Sequence, residues 1–454
     1  MATYNRTPQQ VEKVQTKYRT IQTDLPVPES VPILEKLEAF EPRSMQGQPP
    51  IVWDKAEGFQ VYDRWGNKWL DWSSGVLVTN MGHSHPDIVE AVQGRIDQKL
   101  IATYVFIHEQ RAELVELLAG LAPEPLNKVF LLSTGSEATE NTIKLARTYG
   151  VKQGGREKHV IVGFENAFHG RTMGAQQAGG MQKQKDWIIN LDPGFVNVPF
   201  PDGFHTEDLS FDLFLKTLKE KGVEPKNIAG VIFEPFQGVG PFFFPDEYAQ
   251  KLEAFCREHD ILIISDEVQA GFGRSGKWFT FEHYGITPDL IACGKGISSS
   301  LPISAVIGRD DVMNMYAPGS MTSTHSASPL PVAAAIASIK AMKKEKVVEH
   351  AAAMEPVLAE SLFAIQKAHP RQVGAVRVRG MVAGLQIVKP GTRDADADLA
   401  KKINEKCFQR GLLMFAPVGT AGQCIKIAPP LITPEDALRE GARVLTEVCD
   451  EVLD

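Results

Sequence analysis

Short apolar runs recur through the middle of the chain, each ending in a loop and most followed by a longer amphipathic stretch. They are KVFLLS (128–133), HVIVGF (159–164), IAGVIFEP (228–235), DILIISDEV (260–268), DLIACG (289–294) and ISAVIGR (303–309). Helical stretches such as ATENTIKLARTYG (138–150) and EYAQKLEAFCREH (247–259) separate several of them. Runs that are apolar on both faces and joined by helices imply a mostly parallel sheet covered by helices on both sides. The fold class is therefore α/β for residues 75–330.

The flanks differ. Residues 1 to about 50 are polar and rich in Pro and Gln and read as a partly extended arm. GFQVYD (58–63) and KWLDW (68–72), joined by RWGN, alternate like a β-hairpin. Beyond residue 330 a helical tract leads into VRVRGMVAGLQIV, ADLAKKINEKCFQRG and LLMFAPV, a smaller α+β domain. In the last helix Thr433 suits the N-cap, Pro434 the first turn, and Glu435 and Asp436 the positive end. The expected division is 1–74 (arm and hairpin, part of the small domain), 75–330 (large domain) and 331–454 (small domain).

Composition changes the picture mainly by exclusion. A net charge of −8 disfavours nucleic acid and anionic membrane as partners. No apolar run approaches the roughly 18 residues of a membrane span, and the N-terminus carries no secretory apolar region. Five cysteines without a CxxC pair read as reduced thiols, so a cytoplasmic location is expected.

Ligands in open α/β sheets sit beyond the carboxyl ends of the strands, so the residues after each run carry the chemistry. Ser133-Thr134-Gly135-Ser136 opens a helix, which suits a phosphate provided Glu137 and Glu140 point away; it is equally a plain capped helix start. Asp266 ends an aliphatic strand, where a buried carboxylate needs a partner such as a protonated ring nitrogen; the bland alternative is a loop cap. Lys295 follows another apolar strand between Gly294 and Gly296. Desolvation would make it a nucleophile toward an aldehyde, and a solvent-facing loop lysine is the alternative. Phe168 offers an aromatic face and Arg171 a guanidinium, while His169 reads as a structural hydrogen-bonding residue. Together these supply a phosphate cradle, a stacking face, a ring-nitrogen partner and a Schiff-base lysine, the set that pyridoxal 5′-phosphate needs.

Competing readings fare worse. Gly271–Gly276 matches GxGxxG, but the following KWFTFEHYG is no amphipathic helix, so a dinucleotide site lacks its context. No GxxxxGK[ST] precedes Lys295, and His83 and His85 have no metal-ligand spacing around them.

The strings TGSEATE, FHGRT, EPFQG, ISDEVQAGFGRSG, CGKG and APPLI resemble the class III (4-aminobutyrate and ornithine-like) aminotransferases of pyridoxal-phosphate fold type I, from about residue 30 to the C-terminus. The resemblance implies that Lys295 holds the cofactor and shuttles a proton and that Asp266 pairs with the ring nitrogen. Val268 would pack under the ring, Gln269 near its phenolic oxygen, and Phe168 on the opposite face. It implies that Gly135 and Ser136 bind phosphate, that His169 and Glu234 lie at the cofactor, and that Thr324 reaches the phosphate of a neighbouring subunit in a homodimer with shared active sites. Arg171, Val76, Val239 and Lys426 fall at substrate positions. Two departures stand out: Val239 replaces the second glutamate of EPxQGEGG, and Lys426 replaces the arginine before the tail PPL. Lysine is the less directional carboxylate partner, so the pocket reads as rebuilt. Phe236, Val239 and Phe242-Phe243-Phe244 either line that pocket or form core. The expected reaction is transfer of an amino group from an ω-amino acid or amine to a keto acid such as pyruvate or 2-oxoglutarate. The alternative on the same residues is a racemase or epimerase.

Overall fold

A computed structural model describes residues 4–453. The chain forms two units: one spans Pro86–Val348, and the other joins the chain up to His85 to the chain from Glu349 onward.

The first unit is built on a seven-stranded sheet. Its strands are β1 (Leu126–Leu132), β2 (Val160–Phe164), β3 (Phe195–Val198), β4 (Ile228–Phe233), β5 (Leu262–Asp266), β6 (Leu290–Cys293) and β7 (Ser304–Arg309). They lie in the order β1-β7-β6-β5-β4-β2-β3. β7 runs antiparallel to both neighbours and the remaining pairs are parallel. Two reversals cancel, so β1 points the same way as β6. The carboxyl ends of β1, β2, β4, β5 and β6 therefore share one edge.

Every residue of β4, β5 and β6 is buried, which explains why these strands read as unbroken apolar runs. Helix α1 (Gly135–Gly154) sets Ala138, Ile143, Leu145 and Ala146 against Ile232, Leu262, Ile264 and Val306. Each fully buried aliphatic side chain contributes about 1.5–3 kcal/mol. A Cβ on Gly150 would fall 2.3 Å from the Lys158 carbonyl, so α1 sits as close to the sheet as glycine permits. Next to β2 and β4, Phe244 packs against Phe164, Phe200 and Phe233, and Phe242 stacks on Phe204. Phe236, Phe242 and Phe244 are thus core, whereas Val239 and Phe243 stay half-buried.

In the second unit the expected hairpin forms, with Val61 opposite Trp69 and Tyr62 opposite Lys68. Three further elements depart from expectation. Val31–Phe40 is a helix inside the supposed extended arm. VRVRGMVAGLQIV is not one strand but the antiparallel pair Val373–Arg379 and Val382–Ile387, reversed at Gly380 with φ of 56°. The last helix spans Glu435–Val452 with Pro434, not Thr433, at its N-cap; the Thr433 hydroxyl donates to the Pro430 carbonyl at 2.7 Å instead.

Candidate functional site

The edge formed by the carboxyl ends of the strands gathers most of the singled-out residues. After β1, Thr134 caps α1 and Glu137 folds back to accept from the Ser133 and Thr134 amides, both at 2.9 Å. Glu140 accepts from the Gly174 and Ala175 amides at 2.8 and 3.0 Å. Both carboxylates are thereby committed to backbone donors. Gly135 is required sterically, since a Cβ there would meet Val268 Cγ1 at 2.6 Å. Ser136 lies against the FHGRT loop: a Cβ on Gly170 would come within 2.4 Å of its Oγ, and the Arg171 amide donates to that Oγ at 3.4 Å.

Asp266 ends β5 and is 5% exposed. Its Oδ2 accepts from His169 Nδ1 at 2.8 Å and its Oδ1 from the Val268 amide at 3.0 Å. A carboxylate can only accept, so Nδ1 carries the hydrogen. His169 is therefore the hydrogen-bonding residue expected, and its partner is the central acid. Its Nε2 is buried without a hydrogen-bond partner among the described residues.

Lys295 follows β6 and Gly294 and is half-buried. Burial pushes its amine below the ordinary lysine range, while the charges of Asp266 and Glu234 push it back up. The sharp turn falls on Lys295 itself, with φ of 43°, rather than on a flanking glycine. Such a conformation costs about 1–3 kcal/mol, and strain of this kind collects at functional sites. Gly294 serves close approach: a Cβ there would meet Val268 at 3.2 Å and the Gly135 Cα at 3.5 Å. Val268 is thus wedged between the start of α1 and the strand that delivers Lys295.

Glu234 directly follows β4 and is 5% exposed. It accepts from the Phe168 amide at 2.9 Å and the Gly238 amide at 2.8 Å. Burial pushes its carboxyl up to about 7; the His169 ring opposes that rise and Asp266 adds to it. Gln269 reaches the same place, since its Nε2 lies 2.8 Å from a Cβ built on Gly238.

Other singled-out residues stand apart. Arg171 is exposed, with its guanidinium 5.6 Å from the Phe168 ring centroid. Thr324 lies exposed in a turn. Val76 and Lys426 belong to the second unit. Val76 is 43% exposed within a left-handed turn at φ of 64°, and Lys426 is 2% exposed in strand Cys424–Ile427 opposite Gly384. Sequence reasoning passed over Glu267. This fully buried side chain accepts from the Thr280 and Phe281 amides, each at 3.0 Å, and burial pushes its carboxyl up to about 8. An acid directly after Asp266 on an aliphatic strand was the available signal.

This geometry can be tested against a pyridine aldehyde phosphate. The edge offers a half-buried amine of lowered basicity and a buried carboxylate already oriented by an imidazole. It also offers a helix start whose acidic side chains are engaged elsewhere and an imidazole nitrogen with no partner of its own. These features fit pyridoxal phosphate, and with the sheet order they define a fold type I pyridoxal-phosphate enzyme. The chain belongs to the class III aminotransferases, whose family model, "Aminotransferase class-III", matches residues 43–449.

It is 32% identical over 443 residues to the 4-aminobutyrate aminotransferase of Mycobacterium leprae, covering 95% of this chain and 98% of that protein. It is 33% identical over 427 residues to the 5-aminovalerate aminotransferase of Pseudomonas aeruginosa, covering 92% and 98%. The solved ω-transaminase of Pseudomonas jessenii in complex with PMP superposes with a TM-score of 0.84 at 26% identity, covering 92% of this chain and 97% of that one. The enzyme is a pyridoxal-phosphate-dependent aminotransferase, and nothing in these matches favours the racemase or epimerase alternative.

Proposed function

We propose that this enzyme takes the amino group of an ω-amino acid or amine of the 4-aminobutyrate type and passes it to a keto acid such as pyruvate or 2-oxoglutarate. The observation that carries the reading is the half-buried Lys295 amine, lowered by desolvation and set among the charges of Asp266 and Glu234. Pyridoxal phosphate, when bound, supplies an aldehyde to capture the amino group and an electron sink to accept the charge left on carbon. Lys295 would hold the cofactor, and its amine would then be placed to carry a proton at the substrate carbon. Asp266, oriented by His169, keeps a proton on the ring nitrogen. Gly135 and Ser136 would receive the phosphate at the start of α1, Val268 and Phe168 would flank the ring, and Gln269 would lie near its phenolic oxygen.

In the first unit Arg171 serves as a carboxylate partner and Val239 as an apolar wall for substrate, while Val76 and Lys426, in the second unit, stand at positions that the family resemblance assigns to substrate. With valine at 239 and lysine at 426, strict pairing with 2-oxoglutarate gives way to a broader choice of acceptor. The exposed Thr324 is the residue offered to the phosphate of a second copy, so the working form is a homodimer with shared active sites. Five buried, unbridged cysteines favour a reducing compartment, the cytoplasm. A screen of ω-amino acids, diamines and α-amino acids against pyruvate and 2-oxoglutarate tests the reading. Turnover is expected with ω-amino donors and with pyruvate among the acceptors. Activity confined to α-amino donors would refute it.

A further inference from the structure

Glu234 is a buried carboxylate on this edge that ties two separate loops together through their backbone amides. Its Oε2 accepts from the amide of Phe168, in the loop after β2, and its Oε1 accepts from the amide of Gly238, in the loop after β4. The first loop carries the aromatic face and His169, and the second carries Val239. Neither attachment is duplicated by the other oxygen. Gly238 must be glycine for this close approach, because a Cβ there would fall 2.8 Å from both Glu234 Oε1 and Gln269 Nε2. The charged groups facing Glu234 are His169, Asp266 and Lys295, so its charge also acts on the lysine amine.

We infer that Glu234 is a positioning residue whose two carboxylate oxygens clamp the Phe168 loop to the Gly238 loop, fixing the width of the substrate slot between the stacking ring and Val239. The inference rests on the amino-transfer reading of this edge. A carboxylate is needed because both oxygens must accept. Glutamine has the same shape but turns an NH2 donor toward one of the two amides, which leaves that amide unpaired. A carboxyl titrating at about 7 implies that the clamp is complete above neutrality and loosens as the pH falls and one oxygen becomes an O–H.

The test is hydrogen exchange of the cofactor-loaded enzyme, followed by mass spectrometry on peptides covering 165–171 and 235–241. In Glu234→Gln, one of the two peptides should lose roughly tenfold in protection, since a charge-assisted hydrogen bond is lost. The donor KM should rise by a similar factor, as expected when the slot that binds the donor is loosened. In the wild type, protection of the same peptides, corrected for intrinsic exchange, should fall between about pH 8.5 and about pH 6 while peptides of β5 stay constant. This wild-type measurement decides the matter even if the variant does not fold. Equal protection in variant and wild type, or no pH dependence at 165–171 and 235–241, would overturn the clamp. A failure of ω-amino donors to react would overturn the function instead and leave the exchange result standing.

Discussion

At the scale of the residue, three acids in or next to the strand ends are held in three different ways. Asp266 is balanced by an imidazole, Glu234 by two amides from different loops, and Glu267 by two amides of one turn. These hydrogen bonds do not offset full burial, so the last two are pushed up to about 7 and about 8. The consequence for stability has a definite sign. Glu267 ionises at about 4.5 in the unfolded chain and at about 8 in the folded one, so the native state holds the extra proton between those values. Stability contributed by this group is therefore greatest below pH 4.5 and is lost as pH rises to about 8. Glu267→Gln removes that slope. Whatever the constant offset, thermal melts should show the stability of wild type minus that of variant falling from pH 6 to pH 8.5; a constant difference would refute the assignment. Lys426→Met keeps an unbranched side chain of nearly the same reach and removes the charge. It should weaken use of 2-oxoglutarate about tenfold or more with the donor half-reaction intact, as expected for loss of a charge-assisted contact. Acceptor kinetics read this directly, and an unchanged acceptor profile would count against the role of Lys426.

At the scale of the element, the site depends on how closely α1 and β6 approach through Val268. Gly135→Ala would force its Cβ to 2.6 Å from a stiff, β-branched neighbour. Overpacking of this kind costs about 1–3 kcal/mol, so cofactor affinity, measured by titrating the apoenzyme, should fall five- to hundredfold. Gly150→Ala makes a useful contrast. Alanine gains about 1 kcal/mol of helix propensity, yet its Cβ would meet the Lys158 carbonyl at 2.3 Å. Net destabilisation is expected, with cofactor affinity unchanged, and urea melts will show it.

These contrasts also explain what the sequence discloses. β4, β5 and β6 are legible because burial on both faces leaves runs dominated by apolar residues. Lys295 and Asp266 are legible because a charge at the end of such a run is out of place. The helix Val31–Phe40 is hidden by a proline at its start and by the lack of a buried apolar stripe, with only Leu34 buried and Leu37 and Phe40 exposed. The reversal at Gly380 is hidden because a two-residue turn between two strands of similar composition leaves almost no compositional mark. The clamp at Glu234 joins loops 66 residues apart in sequence, a pairing that no local pattern carries.

At the scale of the whole molecule, the fold brings residues from five strand ends to one edge, so chemistry is assembled by topology rather than by any single motif. GxGxxG at Gly271–Gly276 illustrates the converse: it is followed by the short 3-10 segment Thr280–Tyr284, not by a helix that would face a dinucleotide. The exposed apolar residues Ile101, Val105, Phe106 and Ile107 lie in the first unit, as does the exposed Thr324, and Tyr104 reaches Thr322 at 3.5 Å. Sedimentation should give twice the chain mass, and Thr324→Ala should weaken phosphate-dependent cofactor retention without dissociating the dimer. A monomer of full activity would refute the shared-site arrangement.

The most direct test of the account is an absorbance titration with an ω-amino acid alone, run on wild type and on Lys295→Ala. The wild type should convert its bound cofactor from the aldehyde to the amine form with one equivalent of carbonyl product released, and the variant should not. Full conversion by Lys295→Ala at the wild-type rate would contradict it.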